Sequence, residues 1–439
     1  MEFGIVSPTH TQTHLFKFVS DRFPAPPVDN PPLTPLYDSL TTNIPHPVMA
    51  YTSFPFPPST FLFPPAKTVQ TYLESFASHF DLHKHIQFNT SVDAATWDTS
   101  IQKWKIRLSS GVEQEFDWVV VANGHYRVPL YPKVPGLQSW LSSKRAFHSA
   151  WYRHPITLGN TVLVVGGGPS GQDISAEIRS CAKVLIHSRT GGADSDEDED
   201  GFKVRGRVLE FKENGVVLFE GGVIETGIDH CILATGYQMS LPFLTSTIQT
   251  GIPPPCPPLP EDVFCSHYSL FPLSRHMFPV QTNFPMGSLV FMGLQRMSFP
   301  FPVFEAQGHA IVKSWADPGS LDLNRESADV LNRYEVLRER YKPASPSKIA
   351  KMWDLFVNQE QFDYRDALAD FSGSGYMVKD WERDVLQTQF VMRKMWQELE
   401  ESGEAEDWVR GVGEGGVEEW VELMKRVVER ANEQYAKNP

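Results

Sequence analysis

The chain has 439 residues, 41% of them hydrophobic and 21% charged, so it can bury a large core and form two or three domains. Its formal net charge of -14 argues against a nucleic-acid surface, because phosphate binding draws on clustered Lys and Arg. The four cysteines have neither Cys-x-x-Cys nor metal-ligand spacing, so we expect reduced thiols and no metal site. No stretch has the roughly eighteen apolar residues of a membrane span, and no signal peptide is recognisable, so we expect a cytoplasmic protein.

Hydrophobic periodicity and turn residues predict the elements in chain order. Residues 1–65 are dense in Pro, Phe, Thr and Asn, which favours long ordered loops. A helix is predicted over 68–80, and strands over 86–92, 103–108, 118–122 and 161–165. The next elements are a helix over 172–183, a strand over 184–188, a hairpin of 204–208 with 216–219, and a strand over 229–234. The last are a strand over 289–292, a helix starting near Val303 and an amphipathic acidic helix over 417–435. The acidic run DSDEDED, residues 194–200, is predicted to be a solvated loop.

One motif carries chemistry: TVLVVGGGPSGQDISAEI, residues 161–178, places Gly-x-Gly-x-x-Gly between a strand and a helix. Gly166 permits the turn out of the strand, Gly168 lets backbone approach a pyrophosphate, and Gly171 lets the helix pack closely on the sheet. The helix N-terminus attracts phosphate charge, so Pro169 and Ser170 join the glycines as candidate cofactor-binding residues. The alternative is a glycine turn in an unrelated α/β fold.

The end of the second strand indicates which nicotinamide cofactor would bind. It offers Ser188, Arg189 and Thr190 rather than the Asp or Glu that accepts hydrogen bonds from a ribose 2′-hydroxyl. An arginine suits a 2′-phosphate, so Ser188 and Arg189 predict NADPH rather than NADH. In the alternative, Arg189 only covers the end of the sheet. The sequence has no His, Ser and Asp residues at hydrolase spacing, no Tyr-x-x-x-Lys after the glycine motif and no redox Cys pair. A bound flavin is therefore the natural acceptor of electrons from NADPH.

Six phrases, in order along the chain, resemble the flavin-containing monooxygenase family, particularly its fungal members. They are LYDSLTTNIPHPVMAYTSFPFP at 36–57, VVVANGHYRVPLYPKVPGL at 119–137, FHSAWYRHP at 147–155, VLVVGGGPSGQDI at 162–174, ILATGY at 232–237 and LVFMGLQRMSFPFPVFEAQ at 289–307. The resemblance implies an α/β fold with two Rossmann-like dinucleotide-binding domains. An NADPH domain, 154–237, would be inserted into a FAD domain made of 1–153 and 238–400, followed by an acidic helical tail, 401–439.

The resemblance also implies an activity and further site residues. NADPH would reduce FAD, oxygen would add at the flavin C4a, and the hydroperoxide would oxygenate a nitrogen or sulfur centre of a small molecule. Asn43 matches the family asparagine beside the flavin and is the candidate catalytic residue, while Thr42 and Gln307 are candidate cofactor contacts. Read alone, Asn43 is an Asx-turn residue and Gln307 a helix-surface residue. His148 matches part of a family signature, and we expect a structural role for it.

The N-terminus departs from the family pattern. Family members begin with a second Gly-x-Gly-x-x-Gly that cradles the FAD pyrophosphate, and MEFGIVSPTHTQTHLFKFVSDRF carries none, so we expect an incomplete FAD domain. Three readings stay open: an NADPH- and FAD-dependent monooxygenase, a non-catalytic NADPH-binding remnant that has lost FAD, and a disulfide-reductase-type flavoenzyme, which the missing Cys pair disfavours. The expected partners are a small-molecule substrate and O2, without nucleic acid, and the sequence does not indicate an oligomeric state.

Overall fold

A computed structural model describes residues 5–6, 32, 34–191, 195 and 201–437 of the chain. All of the predicted acidic loop except Ser195 lies outside these residues. The described chain divides into two compact units. The first unit contains Leu40–Gly124, the residues from Leu241 onward and a short N-terminal strand, and the second contains residues 34–39 and His125–Ser240.

The elements are numbered in chain order. The strands are β1 Ile5–Val6, β2 Ile86–Gln87, β3 Val92–Asp98, β4 Lys103–Leu108, β5 Glu113–Phe116, β6 Val119–Val121, β7 Val128–Pro129, β8 Ala146–His148, β9 Thr161–Val165, β10 Val184–Ser188, β11 Phe202–Arg205, β12 Val208–Phe211, β13 Val217–Phe219, β14 Ile224–Glu225, β15 His230–Leu233, β16 Tyr237–Gln238, β17 Ile248–Thr250, β18 Val263–Cys265, β19 Leu270–Phe271, β20 Leu273–Ser274, β21 Phe278–Pro279 and β22 Leu289–Phe291. The helices are α1 Ala66–His79, α2 Leu137–Ser142, α3 Pro169–Ile178, α4 Pro300–Ala316, α5 Leu323–Arg340, α6 Pro346–Met352, α7 Glu360–Ser372, α8 Asp380–Ser402, α9 Ala405–Val409 and α10 Val417–Lys437.

A five-stranded parallel sheet organises the second unit, with the strand order β11-β10-β9-β15-β8. The strand order reverses between β9 and β15, and in open parallel sheets ligands bind outside the carboxyl ends of the strands at such a point. Because β8 joins this sheet, the compact unit begins at His125, before the predicted domain start at residue 154.

Two elements of the second unit differ from their predictions. The hairpin pairs β12 with β13, and Val204 instead lies in β11, which continues the parallel sheet beside β10. Helix α3 begins at Pro169 rather than at Gln172, because a proline is well suited to the first helical position, where no N–H partner is lost.

The first unit is built from smaller sheets and a helical core. Its described strands form an antiparallel meander, β3-β4-β5, a sheet of β17-β18-β19, and the pairs β6 with β22, β20 with β21 and β1 with β2. Helices α8 and α10 pack together in its largest apolar cluster, which buries Trp396 and Trp420. The segment predicted as a tail from residue 401 therefore contributes directly to this core. A continuous apolar face on α10 explains why it packs there.

Candidate functional site

In the glycine turn after β9, two of the three glycines leave no room for a side chain. Gly166 has φ of +128°, and a Cβ on it would lie 2.1 Å from the carbonyl oxygen of Ala234. A Cβ on Gly171 would lie 1.9 Å from the carbonyl oxygen of Gly166, so only glycine allows α3 to approach the turn. Gly168 is exposed, and a Cβ there would meet nothing within 4 Å. The turn thus leaves open space beside Gly168, where a phosphate would approach.

Two side chains missed by the sequence analysis fix the orientation of this turn. His187 Nε2 donates to the carbonyl oxygen of Gly166 over 2.8 Å. Gln172 donates from Nε2 to the Gly167 carbonyl over 3.1 Å and from its backbone N–H to the Gly168 carbonyl over 3.0 Å. The three carbonyls are therefore bound, whereas the N–H groups of Gly167 and Gly168 have no acceptor among the described residues. Free N–H groups at a helix N-terminus make an anion site.

Ser188 and Arg189 at the end of β10 have different roles in the structure. The Ser188 hydroxyl is buried and donates to the carbonyl oxygen of Gly206 over 2.8 Å, so it fixes the backbone just after β11. Arg189 is exposed, and its Cβ lies 3.0 Å from where a Cβ on Gly167 would be. The Arg189 side chain therefore leaves the sheet beside the glycine turn, and a guanidinium is the kind of group that pairs with a phosphate. Burial, together with the nearby Arg189 charge, lowers the pKa of His187 and so keeps its ring neutral.

Both ring nitrogens of His148 bond to backbone groups of the second unit. Its Nε2 donates to the carbonyl oxygen of Gly236 over 2.9 Å, and its Nδ1 accepts from the N–H of Ala150 over 3.1 Å. The carbonyl partner requires a proton on Nε2, and the N–H partner requires that Nδ1 carries none, so the ring is neutral. It links the ATGY turn to β8. Burial lowers the pKa of His148 to about 4.

A short strap, residues 34–39, lies along helix α3 in the second unit. Tyr37 donates to Asp173 Oδ2 over 2.6 Å, and Glu177 accepts from both Ser39 and the buried Tyr152. The backbone N–H of Asp38 donates to the carbonyl of Arg153 over 2.7 Å. The strap therefore holds helix α3 through the carboxylates of Asp173 and Glu177. Asn43 and Thr42 follow the strap closely in the chain.

The segment with Thr42 and Asn43 is anchored by its backbone in the first unit. The N–H of Thr42 donates to the carbonyl of Pro64 over 3.0 Å, and that of His46 to Leu62 over 2.9 Å. Asn43 is exposed, so its amide is accessible to a ligand. The Thr42 hydroxyl oxygen is buried and has no hydrogen-bond partner in the part of the chain that the structure describes. A polar group of an absent ligand would satisfy it.

Gln307 lies in helix α4 and is completely buried, so it is not a helix-surface residue. Its Oε1 accepts from the N–H of Gly293 over 3.0 Å. Its Nε2 donates to Gln295 Oε1 and to the hydroxyl oxygen of Tyr364, both over 2.9 Å. The Gln307 amide is therefore fully occupied by protein groups, and its contribution to a ligand site would act through the turn after β22.

Comparison with known proteins decides the family. Flavin-containing monooxygenase FMO GS-OX-like 2 of Arabidopsis thaliana is 32% identical, over 76% of this chain and 71% of the relative. The thiol-specific monooxygenase of Saccharomyces cerevisiae is 30% identical, over 80% of this chain and 82% of the relative. The chain belongs to the flavin-containing monooxygenase family. The family described as flavin-binding monooxygenase-like matches residues 29–194 and 200–252. Its members are oxidoreductases that use FAD and NADPH.

Solved structures of flavin monooxygenases share this fold. S-allyl-L-cysteine S-oxygenase from Allium sativum superposes with a TM-score of 0.74 at 23% identity, over 99% of this chain and 93% of that chain. Tmm from Pelagibacter sp. strain HTCC7211 superposes with a TM-score of 0.68 at 19% identity, over 90% and 84% of the two chains. The predicted α/β fold with Rossmann-like dinucleotide-binding domains is therefore confirmed.

The residues present fit the two cofactors of the family. The glycine turn offers unpaired N–H groups and open space to a dinucleotide phosphate, and Arg189 adds a positive charge beside it. The buried hydroxyl of Thr42 and the buried Nε2 of Gln295 have no partner among the described residues and suit the polar edge of a flavin ring. Within the same residues, no three His, Cys, Asp or Glu side chains cluster as metal ligands, and no helix is both long and apolar enough to cross a membrane.

Proposed function

We propose that the protein is an NADPH- and FAD-dependent monooxygenase that transfers one oxygen atom from O2 to a sulfur or nitrogen centre of a small molecule. Family membership supports the monooxygenase class. The names of two similar proteins, a thiol-specific monooxygenase and an S-allyl-L-cysteine S-oxygenase, favour a sulfur centre as the first substrate to test. The observation that carries the cofactor assignment is the glycine turn, whose carbonyls are bound while the N–H groups of Gly167 and Gly168 have no acceptor in the described part of the chain.

The second unit would bind NADPH. The N–H groups of Gly167 and Gly168, with Pro169 and Ser170 at the start of α3, would hold the pyrophosphate, and Arg189 would pair with the 2′-phosphate. Gly166 and Gly171 would act by allowing this close packing rather than by contact. Ser188 would support the site through its bond to Gly206. The protein's role is to hold the dinucleotide in place, because the cofactor itself carries the redox chemistry.

The first unit would hold the flavin beside the segment that begins at Thr42. When bound, NADPH supplies a hydride, and FAD passes the electrons to O2. Asn43 would donate hydrogen bonds from its exposed amide to the reacting groups, and Thr42 would contact the ring through its buried hydroxyl. The backbone bonds of Thr42 to Pro64 and of His46 to Leu62 hold the backbone on both sides of Asn43, which positioning of its amide would require.

The proposal is tested by incubating the purified protein with FAD and measuring NADPH oxidation with a thioether, a thiol or a tertiary amine. Product that gains one oxygen atom by mass spectrometry, in proportion to NADPH consumed, is the expected result. An Asn43→Ala variant should still oxidise NADPH but should release more hydrogen peroxide per product. NADPH consumption with no oxygenated product from any of the three substrate classes contradicts the proposal.

A second candidate function is a non-catalytic NADPH-binding protein. The observation in its favour is that the second unit by itself contains the glycine turn and Arg189, so an NADPH site would not depend on a flavin in the first unit. A preparation that binds NADPH with micromolar affinity, stays colourless and takes up no added FAD would support this function. The disulfide-reductase alternative has no support, because Cys181, Cys231, Cys256 and Cys265 are all unpaired thiols.

A further inference from the structure

Met297 lies in the connection between β22 and α4 and exposes its thioether side chain to solvent. It is 66% exposed, and Met377 is 45% exposed, whereas the other methionines of the described residues are buried or half-buried. A thioether sulfur is soft and polarizable, and it takes up one oxygen atom to become a sulfoxide. Within the described residues, Met297 therefore offers the most accessible thioether.

The backbone holds Met297 in a conformation that bulky residues rarely adopt. Its φ is +61°, in the left-handed region, where a long side chain is an outlier. The backbone is fixed on both sides: the N–H of Arg296 donates to the carbonyl of Asp354, and the N–H of Phe299 donates to Oε1 of Gln361, both over 2.7 Å. Strain that the surrounding structure maintains in this way is typical of functional sites. The fold thus keeps the Met297 side chain displayed at this turn.

The connection that carries Met297 leaves the end of the sheet where a ligand is expected. β22 runs parallel to β6 and ends at Phe291, and ligands bind outside the carboxyl ends of parallel strands. The same connection contains Gln295, whose buried Nε2 suits the polar edge of a flavin ring. An exposed thioether and a group suited to the flavin therefore belong to one short stretch of chain.

We propose that Met297 is a self-oxygenation site, whose Sδ takes the oxygen atom when no substrate sulfur is present. This proposal rests on the proposed function, because the methionine side chain is itself a thioether. In the balanced reaction, NADPH, a proton, O2 and the thioether give NADP+, water and the sulfoxide. NADPH supplies two electrons, one oxygen atom bonds to Sδ, and the other leaves as water. The product is a polar, chiral side chain in place of an apolar one.

Peptide mass spectrometry of the full-length protein measures the oxygen on Met297 directly. The protein with FAD is incubated with NADPH and isotopically labelled O2, without an added thioether and with catalase to remove released hydrogen peroxide. Met377 is the internal control, because it is also exposed but lies in the connection between α7 and α8. A parallel sample receives hydrogen peroxide without NADPH and catalase, which gives the intrinsic reactivity of the two sulfurs.

With NADPH, we expect label to enter Met297 about tenfold faster than Met377, because a sulfur held beside the site has a high effective concentration. With hydrogen peroxide alone, the two residues should react at similar rates, since both are exposed. An excess of added thioether should suppress the labelling of Met297. Met297→Leu should remove the label and leave the Kd for NADPH unchanged, whereas the matched variant Met377→Leu should leave the labelling of Met297 as it is.

The outcomes separate this proposal from the proposed function. If an added thioether is oxygenated but Met297 carries no more label than Met377, the Met297 proposal is wrong and the proposed function stands. If no added substrate is oxygenated and Met297 is labelled only when catalase is omitted, released peroxide is the oxidant and both are wrong.

Discussion

Lowering the pH from about 7 to about 5 should destabilise the protein through two buried histidines that are neutral in the folded state. His46 is 1% exposed, and its ring centroid lies 4.9 Å from that of Phe56 and 4.3 Å from that of Trp420. Burial lowers the pKa of His46 from 6.5 to about 3, and that of His148 from 6.5 to about 4. A proton added to His148 would go to Nδ1, which already accepts from the N–H of Ala150.

The sign and size of the effect follow from linkage. Below about pH 6.5 the unfolded chain binds protons on both imidazoles while the folded protein does not, so the free energy of unfolding falls as the pH falls. Each histidine contributes about 1.36 kcal/mol per pH unit between its unfolded and folded pKa, which gives about 2 kcal/mol each at about pH 5. Since His46 and His148 lie in different units, each unit should lose about 4–8 °C of Tm.

The assay is thermal unfolding at constant ionic strength, compared between the two pH values. His46→Met and His148→Asn remove the titrating group, and each should reduce the pH-induced loss of stability by about 2 kcal/mol, whatever its stability at about pH 7. His85→Gln changes an exposed histidine and should leave the pH difference unchanged. If the His46 and His148 variants lose as much stability as wild type between the two pH values, the reasoning from burial is refuted.

Three further predictions concern the site. Arg189→Gln should raise the Kd for NADPH about 30-fold by calorimetry and leave the Kd for NADH unchanged, since about 2 kcal/mol of charge-assisted bonding is lost. The control Arg207→Gln, at an exposed guanidinium of the same unit, should change neither Kd. Gly168→Ala should weaken NADPH binding with little change in Tm, whereas Gly171→Ala should weaken NADPH binding and also lower the Tm, because only the Cβ at residue 171 meets backbone. Equal Tm losses in the two variants would contradict this explanation. Asn43→Ala should increase the peroxide released per NADPH, and unchanged coupling would remove it from the mechanism.

The sequence predicted those elements in which local pattern and tertiary role coincide. Strand β9 was predicted at its observed bounds, because Val162, Leu163 and Val164 form a continuous apolar run that a sheet buried on both faces requires. The glycine motif was likewise predictable, because the close approach of backbone segments that requires glycine depends on a few consecutive residues. The hairpin was misassigned because Val204 has the same local pattern in a parallel strand as in a hairpin.

The residues that the sequence could not assign act through partners far along the chain. His187 contacts Gly166 only because β9 and β10 pair in one register, and no local signal marks its ring as the donor. Gln307 and Gln295 differ in which of their amide atoms are already bonded, and this depends on where the fold places Gly293 and Tyr364. Family resemblance drew attention to the region around Gln307, and hydrogen-bond direction then distinguished the two glutamines.

The strap at residues 34–39 matters for anyone who divides this protein into fragments. An expressed fragment of His125–Ser240 would contain every strand of the parallel sheet, yet Asp173 and Glu177 would lack their Tyr37 and Ser39 partners. A fragment that joins residues 34–39 ahead of residue 125 through a flexible linker would restore them. The second unit is discontinuous along the chain, so fragment limits chosen from its longer segment alone would omit the residues that contact helix α3.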